Sequence, residues 1–230
     1  MTARAQQALT ALQRRVIRCR TCPRLVQHRE TIAREKKRQY SDWEYWGRPV
    51  PGFGDPQARL VIVGLAPAAH GANRTGRMFT GDRSGDWLYG ALHEFGFSSQ
   101  ATSARRDDGL VLRDAYITAA ARCAPPDNKP ETGELSACRA FLVEELALLR
   151  RAKAILALGK IAFDAYLAAR KSVNAPVPRS AVRFAHGARA DLGDVVLFAS
   201  YHPSQQNTFT GRLTRDAFHA VFARIRSEIG

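Results

Sequence analysis

Arg59-Leu-Val-Ile-Val-Gly64 is a short apolar run closed by a glycine. Its length and β-branched content predict a strand buried on both faces. Similar runs follow at Ala154-Ile-Leu-Ala-Leu-Gly159 and Val195-Val-Leu-Phe-Ala-Ser200, with a less regular one from Leu110 to Thr118. Helical patterns fill the intervals. Ser84 can cap a helix running to Phe95, with Gly96 as its stop; Leu135 to Arg151, Lys160 to Lys171 and Arg212 to Ile229 give three more. Strands alternating with helices predict an α/β fold, a three-layer α/β/α sandwich around a central, mainly parallel four-stranded sheet. Ligands bind beyond the carboxyl ends of such strands, so the loops that leave those ends are the place to look for chemistry.

Upstream of the first strand, Ala8, Leu9, Leu12, Val16 and Ile17 recur at helical spacing. The run Arg34-Glu-Lys-Lys-Arg38 reads as a solvated face, and the Gly- and Pro-rich segment from Trp43 to Pro56 as an ordered loop whose aromatics pack on the body. There is no internal repeat and no linker, so residues 1–230 are expected to form a single domain, acting as a monomer. Lys+Arg 35 against Asp+Glu 21 give a net charge of +14, and the pI of about 10.4 points to a polyanionic partner such as nucleic acid. No apolar stretch approaches a bilayer span, which argues against a membrane protein.

The four cysteines fall as Cys19-Arg-Thr-Cys22, Cys123 and Cys138. None is left over, and Pro23 follows the first pair. A zinc ribbon would want a second C-x-x-C, whereas Cys138 lies 15 positions after Cys123, so a four-cysteine iron–sulfur centre suits the spacing better than zinc. Four free thiols, or a redox pair plus two packing residues, is the plainer reading. A thiolate centre implies a reducing compartment and a cytoplasmic location.

Three loops leave strand ends: Gly64 to Asp82, Ala119 to Pro130, and Ser200 to Asn207. The first is glycine-rich but has neither the G-x-G-x-x-G order nor a G-K-[ST] ending, so no dinucleotide or P-loop nucleotide is indicated. Too few carboxylates (Asp82 and Asp127) occur in these loops for a divalent-metal nuclease.

Gly64-Leu-Ala-Pro-Ala68 with Met78-Phe-Thr-Gly-Asp82, the cysteine spacing and His202-Pro-Ser204 closely resemble the family 5 (UDGb-type) iron–sulfur uracil-DNA glycosylases, from Cys19 to the last helix. The resemblance implies a uracil-DNA glycosylase-like fold and a monofunctional DNA repair hydrolase. Such an enzyme flips a deaminated base out of DNA, hydrolyses its N-glycosidic bond and leaves an abasic site. It also implies a structural 4Fe-4S cluster on Cys19, Cys22, Cys123 and Cys138. Related branches carry an acidic or amide side chain just after the first glycine, where this chain has Leu65, and family 4 has an amide near the position of Ala119; hypoxanthine or xanthine are therefore expected substrates beside uracil. The competing expectation is a non-enzymatic, metal-stapled nucleic-acid-binding module.

The residues take roles by their chemistry. A flipped base needs a flat face and hydrogen bonds at its edge, for which Phe79 supplies the ring and Gly64, Leu65 and Ala66 the close backbone. His202 is the donor to the base oxygen as negative charge builds there. Asp82 is the carboxylate for the sugar cation and the attacking water, against its ordinary reading as a helix cap. Asn128 bonds the base edge or the backbone, against its reading as a turn residue. Ser204, Gln205, Gln206 and Asn207 are placed at the groove, and Arg122, Lys129 and Arg212 at phosphates.

Overall fold

The computed structural model describes residues 3–177 and 182–230. Two helices, α1 (Ala3–Arg18) and α2 (Pro23–Glu35), precede the sheet. The sheet's centre is four parallel strands, β2 (Leu60–Gly64), β3 (Ala115–Ala119), β4 (Ala154–Leu158) and β6 (Val196–Ser200), with the side order β3-β2-β4-β6. Every residue of these four strands is buried, as strands covered on both faces require. The expected four strands are present. They are not the whole sheet, because β1 (Phe53–Gly54) pairs antiparallel with β3 and β5 (Arg189–Asp191) antiparallel with β6, giving six strands. Both additions are two or three residues long and carry no apolar run, so they form only because a neighbour offers its edge.

The alternation along each central strand makes the three layers. Leu60, Ile62, Ile117, Leu156 and Phe198 face one core with α4 (Arg83–Glu94) and α8 (Arg215–Ile229). Val61, Val63, Tyr116, Ile155 and Leu197 face the other with α1, α5 (Thr132–Leu148) and α6 (Lys160–Ser172). Two short helices, α3 (Ala72–Thr75) and α7 (Gln205–Phe209), lie in the loops after β2 and β6. The second strand begins at Ala115 rather than Leu110: Leu110 and Leu112 are buried ahead of it, and Leu112 only bridges Ser98. The helix after the first long loop is capped by Asp82, two residues before Ser84. The charge run Arg34 to Arg38 is largely exposed, and in the Trp43–Pro56 segment Tyr45 and Val50 are buried, as expected. Among the described residues no helix is long and apolar enough to cross a membrane.

Candidate active site

The loops after β2 and β3 are zipped together past the strand ends, Ala120 and Ala121 donating their N–H groups to Gly64 and Leu65 at 2.9 Å each. This brings the half-buried Leu65 and Ala66 to the carboxyl edge of the sheet. The absence of a side chain at Gly64 is a packing requirement: a Cβ there would lie 2.8 Å from the Phe79 ring. Phe79 itself sits at φ +53, a conformation that costs a bulky residue strain. Its ring stacks on His202, centroids 5.8 Å apart and planes 27° off parallel. A Cβ on Gly85, at the start of α4, would strike the Phe79 carbonyl, so the helix start braces the strained residue.

Burial alone pushes His202 down to about 4, leaving a neutral imidazole at physiological pH. Its carbonyl accepts from Asn207 Nδ2 at 2.8 Å, which pins α7 against the strand end, and Ser204 caps that helix through the N–H of Asn207. No protein partner holds the His202 ring nitrogens among the described residues. A cavity of about 300 Å³ opens beside it, lined by Leu65, Gly159, Tyr201, His202, Asn207 and Arg212. Arg212 lies flat over Tyr201 at 4.4 Å and is exposed at this mouth, and Gln205 and Gln206 are exposed beside it.

Asp82 takes the cap position of its ordinary reading. Its carboxylate accepts from Gly85 N–H at 3.0 Å as the cap of α4, and it faces Gly71, where a Cβ would stand 2.1 Å from Oδ2. Burial pushes the carboxyl up, against the pull of the Gly85 and Ser84 N–H groups and the nearby Arg74 charge. Arg74 was missed by sequence reasoning. It is 3% exposed, donates to His70 O at 2.7 Å and Gly81 O at 2.9 Å, and lies between Tyr40 and Trp43 at 3.9 and 4.0 Å. Those bonds tie together the two backbone stretches on either side of the Gly71–Asp82 contact. The signal was one arginine in a glycine loop and a run of aromatics 30 residues upstream, with nothing local to connect them. Phe209 was also missed: it is exposed at the end of α7, with the Arg83 guanidinium 4.2 Å from its ring.

Two of the other expected residues stand elsewhere. Arg122 is a correction: it is 1% exposed and ion-paired with the equally buried Glu145, which also accepts from the Thr118 and Tyr116 hydroxyls, so it cannot meet a phosphate. Two charges that leave water must pair, and Glu145 is the available carboxylate. Asn128 is exposed in a 3₁₀ turn (Pro126–Asn128) at φ +57 and makes no side-chain hydrogen bond among the described residues, as its turn reading has it. Lys129 beside it is exposed, and its carbonyl accepts from Arg24.

The four thiols are free and come from three segments. Burial raises each of Cys22, Cys123 and Cys138, and in each case the charges of other cysteines add to the rise: Cys19 on Cys22, Cys138 and Cys19 on Cys123, Cys19 and Cys22 on Cys138. The thiols are therefore within electrostatic reach of one another. Arg29, 2% exposed, donates to Cys123 Sγ at 2.8 Å, and the Arg122 backbone N–H reaches Cys138. Arg29 Nε and Arg122 Nε and Nη1 are buried without partners. Among the described residues no three His, Cys, Asp or Glu side chains converge to grip one metal ion. The donor set is thus soft and positively surrounded, but not drawn in to a single point.

An α/β sandwich whose strand-end loops carry the stacked Phe79–His202 pair and the half-buried Asp82 fits a base-excising glycosylase. The family model described as "Uracil DNA glycosylase superfamily" matches residues 51–226, and the chain belongs to that superfamily. Within it, the type-5 uracil-DNA glycosylase of Thermus thermophilus is 51% identical over 92% of this chain and 94% of its own length. That of Pyrobaculum aerophilum is 46% identical over 94% and 91%, and that of Mycobacterium tuberculosis 49% identical over 92% and 78%.

Proposed function

We propose that this chain removes uracil from DNA by flipping the nucleotide into a pocket at the carboxyl edge of the sheet, beside Leu65, Phe79 and His202, and hydrolysing its N-glycosidic bond. The observation that carries the reading is the Phe79–His202 stack at the carboxyl edge of the sheet, beside the cavity that His202 lines. Phe79 offers its ring to the base. His202, neutral, donates to a base oxygen as the bond breaks and charge moves onto the base. The charge of Asp82 balances the sugar cation and orients water. Gln205, Gln206, Asn207, Ser204 and Arg212 meet the groove and backbone around the lesion.

Hypoxanthine and xanthine are substrates of the same pocket, because Leu65 and the Ala119–Ala121 stretch present no side-chain amide or acid to select the pyrimidine edge. Duplexes carrying a single uracil, hypoxanthine or xanthine, treated with alkali after incubation, test this. Alkali-dependent breaks are expected at all three; breaks at uracil alone remove the broader specificity, and none at all removes the glycosylase reading.

The residues fit a cluster of iron and sulfide better than a single zinc ion. Cys19, Cys22, Cys123 and Cys138 would hold it, and a multi-iron centre spreads its ligand sulfurs over several metals instead of drawing them to one point. The unpartnered nitrogens of Arg29 and Arg122 would face its negative charge. Its role is structural, tying α1 and α2 to the body of the single domain, and its thiolates place the protein in a reducing, cytoplasmic setting. Cys138→Ser is expected to lose the visible charge-transfer absorbance and to lower the melting temperature together; a variant without absorbance that melts as wild type would deny the cluster its structural part.

A further inference from the structure

Away from the pocket, Arg48, Arg105 and Arg106 make no ion pair and no side-chain hydrogen bond among the described residues, yet each is held. Arg105 lies over Trp43 at 4.4 Å, Arg106 over Trp46 at 4.6 Å, and Arg48 over Trp46 at 5.8 Å. A guanidinium laid flat on an indole keeps its N–H edge free, so stacking orders it without consuming its donors. The loop bearing Arg105 and Arg106 is built to stay in place. The Asp108 carboxylate accepts from the N–H groups of Ala104 (3.0 Å), Arg105 (3.2 Å) and Leu110 (3.1 Å) and pairs with the buried Arg77 at 2.7 Å. Arg77 also reaches Ser103 Oγ and the Arg106 carbonyl.

This loop is fastened to the catalytic one: Gly81, the residue before Asp82, donates its N–H to Ser103 O at 2.8 Å. Trp43, under Arg105, is also the ring that covers Arg74. The three arginines line a cavity of about 800 Å³, two of them on a loop tied to the one that carries Asp82. Asp42, Glu44 and Asp107 share the rim without pairing with them, and the free guanidinium edges offer a planar, bidentate fit for phosphate oxygens.

We propose that Arg48, Arg105 and Arg106 form a phosphodiester clamp that grips the DNA backbone alongside the flipped nucleotide. The clamp rests on the reading of this chain as a DNA glycosylase and gives the strand a second grip, apart from the base pocket. It carries no sequence information and sets affinity and register.

The test uses the full chain with Arg105→Ala/Arg106→Ala and with Arg105→Lys/Arg106→Lys. Binding of a labelled duplex holding a non-cleavable uracil nucleotide is followed from about 50 to 200 mM salt, the range over which phosphate contacts tell. The alanine pair is expected to weaken binding about tenfold per lost contact and to flatten the log–log salt slope by about 0.9 per arginine. The lysine pair should restore the slope while recovering only part of the affinity, because the charge returns without the fork. Unchanged affinity and slope in the alanine pair overturns the clamp, as does a loss that the lysine pair fails to relieve. Wild type that binds with a steep slope but excises nothing would remove the glycosylase reading and leave the clamp standing.

Discussion

His202→Ala is expected to lower single-turnover excision of uracil from a duplex by roughly 10²–10³-fold, with little change in DNA affinity. The donor acts on charge that exists only as the bond breaks, so its loss falls on the chemical step and not on binding. Stacked against Phe79 and half-buried at the end of β6, the ring is already placed, and burial keeps it neutral down to about pH 4. It therefore contributes no rate change between pH 5 and 8. Its effect on stability is separate and has a definite sign. In the unfolded chain the imidazole takes up a proton near 6.5, in the native state only near 4; between those values the unfolded state holds more protons. Stability is complete above about 6.5 and falls as pH drops towards 4. Denaturation at stepped pH should show His202→Ala losing part of that fall. A variant excising at the wild-type rate would make His202 a strand-end residue only.

Asp82→Asn separates the two uses of one carboxylate. An amide caps a helix about as well as an acid, so α4 should keep its start and the melting temperature should stay close to wild type. The charge, however, is gone. A carboxylate about 4 Å from the developing sugar cation, at an effective dielectric near 20, is worth about 4 kcal/mol, so excision should fall by about 10³-fold. Burial raises the Asp82 carboxyl above its usual range. The acid side of the wild-type rate profile should accordingly lie above the ordinary aspartate value of about 3.9, activity being lost as pH falls and Asp82 takes up a proton. In the amide variant that limb should disappear. Wild-type excision by Asp82→Asn would leave the residue as a helix cap and nothing more.

The order of strands and helices was legible because each depends on neighbours along the chain. Leu60 to Val63 and Val196 to Ala199 are apolar at every position, and such runs must be covered on both faces wherever they lie. The ends were less legible: Leu110 and Leu112 are as apolar as a strand, but their backbone has only Ser98 to pair with, so they are buried without joining the sheet. The site divides the same way. Phe79, Asp82 and His202 could be nominated from their loops, since a glycine-flanked aromatic and a histidine at a strand end suit a flipped base, and the structure stacks the first on the last. That Asp82 sits against Gly71, with Arg74 fastening the backbone on both sides, could not be, because those contacts join side chains to backbone through a fold in the loop.

Composition and local pattern by themselves determined the α/β class, the three functional loops and the four cysteines, for periodicity and side-chain chemistry are properties of short stretches. Only the tertiary structure decided which arginines face water. Arg122 and Arg105 contribute the same charge to the total of +14, yet one is drawn inside by Glu145 and the other rests on Trp43 with its donors free. A charge is exposed or paired according to what the rest of the chain brings beside it, and that partner lies 23 residues away in one case and 62 in the other.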